Sequence, residues 1–409
     1  MARIVQKYGG TSVGSIERIE AVAERVIRTC QAGHAVVVVV SAMAGETNRL
    51  IGLAHEVDAQ PNRRELDVLA SAGEQISSAL LAMALIRRGH PAISLLADQV
   101  GIATNNRFGR ARITHVATER LEEELEQGRV VIVAGYQGRD PDNNITTLGR
   151  GGTDTTAVAV AEALGADECQ IFTDVDGVYT TDPRVISEAR KLDQIAFDEM
   201  LEMASLGAKV LQIRAVEMAY TRQVPLRVLS SFDEGTGTLI TNKESAMNQA
   251  VTGIACQKDE ALITFVGVPF SPMMAAKILQ PLGDADIEID MVIQNPMANA
   301  QMDFSFTVQQ NEFTRAMDVL TPHIESIGAQ SIETNPNLVK LSLVGVGMKS
   351  HSGVAAKAFE ALGHANIAIR LIATSEIKIS MLIEEKYMTL GMQVLHDTFE
   401  LEKAPKIAD

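Results

Sequence analysis

Cysteine is scarce. Cys30, Cys169 and Cys256 stand far apart and no Cys-x-x-Cys occurs, which argues against a thiolate zinc site or a disulfide framework. The expected setting is a reducing cytoplasm. The eight histidines are scattered and none forms His-Glu-x-x-His, so no metal site is read from the sequence. No run approaches the roughly 18 apolar residues a membrane helix needs. Met1 to Gly10 holds only Ile4-Val5 as an apolar pair, unlike a signal peptide. Basic charge is also in deficit: 36 Lys and Arg against 52 Asp and Glu give a formal net charge of −16. That argues against nucleic acid or anionic membranes as partners, while leaving room for a local basic pocket.

What is present is apolar substance and alternation. The chain has 409 residues, 46% of them apolar, enough for two or three cored domains. Residues 3–6 suggest a first strand. A helix from Ser15 to Ala32 repeats Ile16, Ile19, Val22, Val26 and Cys30 at one-face spacing, with Ser15 as N-cap and Gly33 as stop. Val36 to Val40 is a β-branched run without alternation, the pattern of a strand buried on both faces, and Ser41 closes it. Then come a loop with Glu46-Thr47-Asn48, a long helical pattern from Arg64 to Arg87, strands at 92–96 and 130–134, and a charged helix near 114–127. A strand at Cys169–Thr173, a helix near 198–218 and a last strand at 226–229 follow. This alternation predicts a layered α/β domain with a mostly parallel sheet. Polar and glycine-rich residues at 231–249 mark its end.

One stretch organises the chain. Gly149-Arg150-Gly151-Gly152-Thr153-Asp154-Thr155-Thr156 follows the strand 130–134 and opens an apolar helix. Glycines let backbone approach a bound group, and a helix N-terminus offers free N–H groups to an anion. Arg150 adds a planar fork for a carboxylate or phosphate. Neither a P-loop nor a dinucleotide fingerprint is matched, and a plain turn needs neither Arg150 nor Asp154. A second glycine turn, Lys7-Tyr8-Gly9-Gly10-Thr11-Ser12, carries a lysine. Glu74 lies in the long helical pattern beside Gly73, a spacing that suits either close helix packing or a carboxylate aimed at a cation. Asp174, Asp176, Asp182 and Arg184 crowd the end of the strand at 169–173, and Lys209 sits amid apolar residues.

The last third repeats itself. Val266-Gly267-Val268 returns as Val344-Gly345-Val346, Ala275-Ala276-Lys277 as Ala355-Ala356-Lys357, and Leu282-Gly283 as Leu362-Gly363. Each unit reads strand, loop, helix, strand, strand, which predicts paired ferredoxin-like α+β modules. The loop before each helix is the natural ligand position. The second repeat has Gly353 there; the first has Met273, whose side chain blocks close backbone approach.

Positioned cations with little else suit phosphoryl transfer. A carboxylate acceptor is already ionised near neutral pH, so no general base is required. Two other classes compete. Gly10-Thr11-Ser12-Val13-Gly14 matches the nucleophile elbow of α/β-hydrolases, but nothing upstream supplies a second oxyanion donor and no histidine stands in a triad context. A non-catalytic amino-acid sensor would work through the repeats, yet Lys7, Arg150, Asp154 and Lys209 are all retained.

The glycine turns, Ser41-Ala42-Met43, Gly73-Glu74, Thr173-Asp174-Val175-Asp176-Gly177-Val178-Tyr179 and Ser350-His351-Ser352-Gly353 together resemble the aspartate kinases, over essentially the whole chain. Its length and order resemble the monofunctional bacterial form with two C-terminal ACT domains. The resemblance implies an amino-acid-kinase fold, a three-layer αβα sandwich, over residues 1–245. It implies a first ACT domain at 262–333 and a second built from 250–261 and 338–403. The implied substrates are ATP, with Mg²⁺, and L-aspartate. Lys7 and Lys209 would contact phosphates, and Asp154 would orient these lysines. Arg150 would hold the substrate α-carboxylate and Glu74 its amine, with Ser41, Thr47, Gly151, Gly152 and Thr153 lining the pocket. Tyr8, Gly9, Gly10, Ser41, Thr173, Asp174, Tyr179, Asp182, Arg184 and Val210 would surround ATP. Thr153 stands where many relatives have serine; the hydroxyl is kept.

The regulatory half implies lysine and threonine as effectors, held by Phe270, Met273, Ala275, Gln294, Gly353, Val354, Ala368, Ile369, Thr374 and Ser375. Here the chain departs from its relatives. Phe270-Ser271-Pro272-Met273 replaces an Asp-x-Pro-Gly loop, and Ala368-Ile369 replaces Asn-Ile. Both changes remove groups able to bind an amino acid, so feedback is expected to be weakened or altered. ACT modules imply a homo-oligomer, and Met247 at the boundary offers a start for a shorter regulatory chain.

Overall fold

The computed structural model describes residues 1–207, 210–242, 249–297, 300–349 and 351–404. Lys209, Met247 and Ser350 lie outside the described residues. The chain forms two compact units. The first holds Met1–Tyr179, Lys191–Ser205 and Lys209–Met247; the second holds Thr180–Arg190, Leu206–Ala208 and Asn248–Asp409.

The first unit begins with β1 (Arg3–Tyr8), α1 (Ile16–Gln31), β2 (Ala35–Val40), α2 (Glu46–Val57), α3 (Arg63–Ala70), α4 (Ala72–Arg87) and β3 (Ala92–Leu95). It continues with α5 (Ala97–Val100), β4 (Ile102–Thr104), β5 (Ile113–Val116), α6 (Glu119–Glu126), β6 (Val130–Ala134), β7 (Gln137–Arg139), β8 (Ile145–Thr147), α7 (Gly152–Ala163) and β9 (Glu168–Thr173). It closes with β10 (Gln194–Ala196), α8 (Phe197–Ser205), α9 (Ile213–Arg222), β11 (Leu226–Ser230) and β12 (Thr238–Thr241). Eight strands form the main sheet in the order β10-β12-β11-β9-β1-β2-β6-β3, parallel except where β12 meets β11. A smaller sheet runs β5-β4-β7-β8.

The valines of β2 are buried on both sides, as their unbroken run requires. Val36, Val38 and Val40 join Ile19, Val22 and Val26 of α1 and Leu81 and Leu85 of α4 in one core. Alternation sends Lys7 of β1 to the opposite face, where α7 packs. Ser15 caps α1 by accepting the Arg18 N–H, and Gly33 ends it at φ +89°.

Several elements differ from the sequence expectations. The pattern from Arg64 to Arg87 is two helices broken at Ser71. That stretch is long and apolar enough to cross a membrane, yet Leu81 and Leu85 of α4 are fully buried in the core. Residues 114–127 are not one helix: Ile113–Val116 pair with β4, and only Glu119–Glu126 are helical. Glu46-Thr47-Asn48 open α2 rather than a loop, and β12 follows β11 as a further strand. The helix expected near 198–218 is split into α8 and α9.

The second unit contains β13 (Gly253–Pro269), α10 (Met274–Asp284), β14 (Ile289–Pro296), β15 (Gln301–Gln309), α11 (Gln310–Leu320) and the short α12 (Ile324–Ile327). The pattern returns as β16 (Ser331–Val344), α13 (Val354–His364), β17 (Leu371–Thr374), β18 (Lys378–Glu384) and α14 (Met388–Thr398). The repeat is therefore real in three dimensions, with helices beyond those its sequence shows: α11 and the short α12 in the first copy and α14 in the second. All six strands form one antiparallel sheet, β14-β15-β13-β16-β18-β17, in which β13 and β16 pair along most of their length. Each copy has its own core, one around Phe265, Phe304 and Phe306 and one around Leu341, Leu343 and Met381.

Thr180–Arg190, counted with residues 1–245 on sequence grounds, packs with this second unit. Ile186 is 1% exposed and sits among Val251, Ile254 and Leu343. The Thr180 carbonyl accepts the Ile254 N–H at 2.7 Å. Ile186→Ala is expected to cost about 2–5 kcal/mol, the range for emptying such a site. Denaturant unfolding of the full chain should show an earlier transition; an unmoved midpoint would remove the segment from that core.

Candidate active site

Lys7, Glu74, Thr153, Asp154 and Thr173 lie where the parallel strands of the first unit end. Lys7 occupies β1 between β2 and β9, its side chain turned toward α7. Its ammonium meets Asp154 Oδ1, in the first turn of α7, at 2.7 Å, and both side chains are about nine-tenths buried. Gly9 makes room for it: a Cβ there would lie 3.3 Å from Lys7 Nζ. A Cβ on Gly10 would lie 3.0 Å from the Ala42 carbonyl, so the turn after β1 presses on the turn after β2. Tyr8 does not point the same way. Alternation puts its ring in the core, stacked on Phe172 at 4.6 Å, and only its backbone reaches the strand end.

The turn before α7 is built on glycine. Gly149 and Gly151 take φ +77° and +70°, and Gly151 caps the helix. A Cβ on Gly151 would collide with Gln212, whose amide donates to the Arg150 carbonyl at 3.1 Å. Arg150 itself is exposed at the tip of the turn. Thr153 is buried with its methyl against Gly135, where a Cβ would come within 2.6 Å.

Glu74 has the most telling environment. It is 3% exposed, in the first turn of α4. One carboxylate oxygen accepts the Ala42 N–H at 3.0 Å; the other is buried with no partner among the described residues. Burial raises its pKa from 4.5 to about 7. Gly73 explains how α4 comes so close, since a Cβ there would lie 2.6 Å from that of Ala42. Close packing and a half-satisfied carboxylate thus coexist at one helix start. Keeping Glu74 ionised above pH 7 costs about 3 kcal/mol of folding stability, and a bound cation offsets that cost.

Ser41 and Thr47 are half-buried beside this point. Thr173 ends β9 and donates to the exposed Asp174 at 3.0 Å. Tyr179 donates to Asp176 at 2.8 Å, and Lys191 pairs with the same carboxylate at 3.1 Å. Val210 is half-buried in a turn. Asp182 and Arg184 pair with each other at 2.9 Å and belong to the second unit. Ser12 is fully buried and bonded to Ser231 at 2.5 Å, so it is no exposed nucleophile and the hydrolase reading fails. Among the described residues no cluster of three His, Cys, Asp or Glu could hold a metal.

A separate cavity of about 580 Å³ lies in the first unit over Gln6, Gln170 and Phe172. Its arginines are already engaged. Arg28 pairs with Glu234 at 2.7 Å, Arg25 donates to the Asp233 carbonyl, and Arg227 grips Glu168.

In the second unit Gly353 has φ +90° and caps α13, while Met273 holds the same place before α10 and is 70% exposed. Phe270, Gln294, Ala368, Thr374 and Ser375 are exposed; Ala275 and Ile369 are half-buried, and Val354 is buried.

The family model described as Amino acid kinase family matches residues 2–230, and an ACT domain model matches 341–399. An aspartokinase of Pseudomonas aeruginosa is 57% identical over 405 residues, covering 98% of each chain. The chain belongs to the aspartokinases. A Thermus thermophilus aspartokinase is 48% identical over 406 residues, 99% of this chain and 100% of that one. Among solved structures, E. coli aspartokinase III in complex with aspartate and ADP is similar at TM-score 0.76 and 27% identity, covering 97% of this chain and 99% of that one.

This aspartokinase also has site features that the motifs do not show. Tyr136, directly after Gly135, adopts φ +69°, unusual for a bulky residue. Asp67 on α3 is 2% exposed. Neither lies in a glycine-rich motif; only the three-residue helical spacing of Asp67 from apolar Ala70 could have flagged it as inward.

The sign of the Glu74 shift gives a test. In the free enzyme its carboxyl is protonated below about pH 7, and a neutral carboxyl holds an ammonium poorly. The value of kcat/KM for the amino-acid substrate should therefore fall on the acid side with a midpoint near 7. Glu74→Gln should abolish that limb. A flat profile in the wild type from pH 6 to 8 would remove Glu74 from the amine position.

Proposed function

We propose that the chain transfers the γ-phosphoryl group of ATP to the side-chain carboxylate of L-aspartate, giving ADP and 4-phospho-L-aspartate. The carrying observation is the unpaired buried oxygen of Glu74 at the strand ends that also hold Lys7. An α-ammonium supplies the missing partner. Arg150 then takes the α-carboxylate, and Ser41, Thr47, Gly151, Gly152 and Thr153 line the space between. That the E. coli relative was solved with aspartate and ADP supports this reading.

The acceptor carboxylate oxygen forms the new bond to the γ-phosphorus, and the bond from that phosphorus to the β–γ bridging oxygen breaks. The carboxylate is already ionised, so no proton moves and no base is needed. Lys7 and Lys209 offset charge on the moving group, and Asp154 fixes the Lys7 ammonium. Thr173, Asp174, Tyr179 and Val210 with the backbone of Tyr8, Gly9 and Gly10 hold the nucleotide; Asp182 and Arg184 rest on family resemblance. Mg²⁺, bound with ATP, would add charge neutralisation on the phosphates.

The repeats act as ACT modules that sense lysine and threonine and join chains into an oligomer, with a shorter chain from near Met247 as a further product. Exposed Phe270 and Met273 weaken that sensing.

Three results test this. Hydroxylamine trapping should report acyl phosphate with ATP plus aspartate, and far less with glutamate. Lys7→Ala should lower kcat about 100- to 1000-fold, the usual effect of deleting one charge-stabilising donor. Near-normal turnover in that variant would reject the assignment. Lysine plus threonine should inhibit only weakly at sub-millimolar concentration; strong concerted inhibition there would show that the altered loops still sense.

A further inference from the structure

Arg150 stands between two glycines in left-handed backbone, and a turn of that kind does not hold itself still. Two of its carbonyls are satisfied locally. Gly149 accepts the Gly152 N–H at 3.0 Å, and Gly151 accepts the Thr155 N–H at 3.2 Å. The carbonyls of Leu148 and Arg150 alternate with these, and both receive side-chain donors from another helix. Arg214 donates to the first at 3.3 Å and Gln212 to the second at 3.1 Å. Both donors sit at the start of α9. That helix packs against α7 and buries Ala215, Val216 and Ala219, so the donors stand on a firm base.

Gln212 is an unexpected residue for its place. It occupies the N-cap position of α9 at φ −76° and ψ 128°, where Ser, Thr, Asp or Asn would accept a free N–H of the first turn. Its side chain makes no such bond. It reaches across to the Arg150 carbonyl instead, and its stem lies against Gly151. Gln212 Cγ is 2.3 Å and its Cβ 2.6 Å from where a Gly151 Cβ would stand. Gly151 is thus required twice, by its positive φ and by the side chain laid over it. A helix start that forgoes its cap to hold a neighbouring turn breaks a local rule, and such breaks belong to functional sites.

We propose that Gln212 is a positioning residue for the amino-acid substrate, clamping the Gly149–Gly151 turn so that Arg150 is aimed at the substrate α-carboxylate. The proposal rests on the aspartate reading above, in which Arg150 takes that carboxylate. Gln212 acts through Arg150 rather than on the substrate. The carbonyl it holds is that of Arg150 itself, so the bond bears directly on the peptide that carries the guanidinium.

The test is steady-state kinetics and thermal unfolding of the full-length enzyme for Gln212→Ser, Gln212→Met, Arg150→Met and the double variant Gln212→Met with Arg150→Met. Serine is too short to reach the turn but can cap α9. Its aspartate KM should rise about three- to tenfold, the loss of one neutral hydrogen bond, while its melting temperature is no lower than that of the wild type. Gln212→Met keeps the stem, loses only the donor and carries the test if the serine variant does not fold; its aspartate KM should rise by the same factor. In both, the ATP KM should stay within twofold of wild type. Once Arg150 is methionine the clamp has nothing to aim, so adding Gln212→Met should change the aspartate KM less than twofold. Wild-type aspartate KM in a folded Gln212→Met enzyme would overturn the proposal. So would an equal rise for ATP and aspartate, the mark of a merely structural role, or the full effect of Gln212→Met persisting without Arg150. An unchanged aspartate KM in Arg150→Met alone would instead reject the assignment of Arg150 to the α-carboxylate, and the proposal with it. If the wild type made no acyl phosphate from aspartate, the functional reading would fail before any variant was compared.

Discussion

A carboxylate taken out of water must be paired or take up a proton, and Glu74 is paired on one side only. Much of the first unit serves to bring that half-paired group to the ends of the parallel strands. Gly73 lets α4 start against Ala42, and Gly10 lets the first turn press on the same residue. Lys7 and Asp154 then clamp β1 to α7 on the far side of the sheet. The outcome is a site with one fixed cation, one buried anion short of a partner, and an exposed arginine on a glycine hinge. Each charge is placed by close backbone approach, which is why glycine recurs at these strand ends and seldom in the core.

Elements governed by local rules were open to reading from sequence. The valines of β2 and the Ser15 cap of α1 needed only burial and spacing. Where tertiary pairing decides, the pattern misleads. Ser71 sits in helical backbone and carries no breaker signal, so α3 and α4 look continuous. Ile113–Val116 abut a strongly helical charged run, and only pairing with β4 makes them a strand. Three-residue strands such as β7 and β8 are too short for any periodicity. The second helix of each repeat escaped because α11 begins directly after β15 and only a three-residue turn, Glu385–Tyr387, separates α14 from β18.

The site divides the same way. Lys7, Arg150 and Asp154 announce themselves because charge inside a glycine turn has no packing purpose. Glu74 was ambiguous, and the structure shows why: its helix start is both closely packed and chemically unfinished. Asp67 and Tyr136 carry no local signal, since their meaning lies in bonds between segments up to 80 residues apart. Tyr8 shows the opposite error. It belongs to a motif, yet strand alternation turns its ring into the core and leaves the site only its backbone.

The most direct test is calorimetric titration of aspartate at pH 7 in buffers of different ionisation enthalpy. With a pKa of about 7, Glu74 is half protonated in the free enzyme, and the incoming ammonium should drive that proton off. The account predicts release of about half a proton per aspartate bound, and none in Glu74→Gln. Binding enthalpy that does not depend on the buffer would mean that Glu74 is not the partner of the substrate amine.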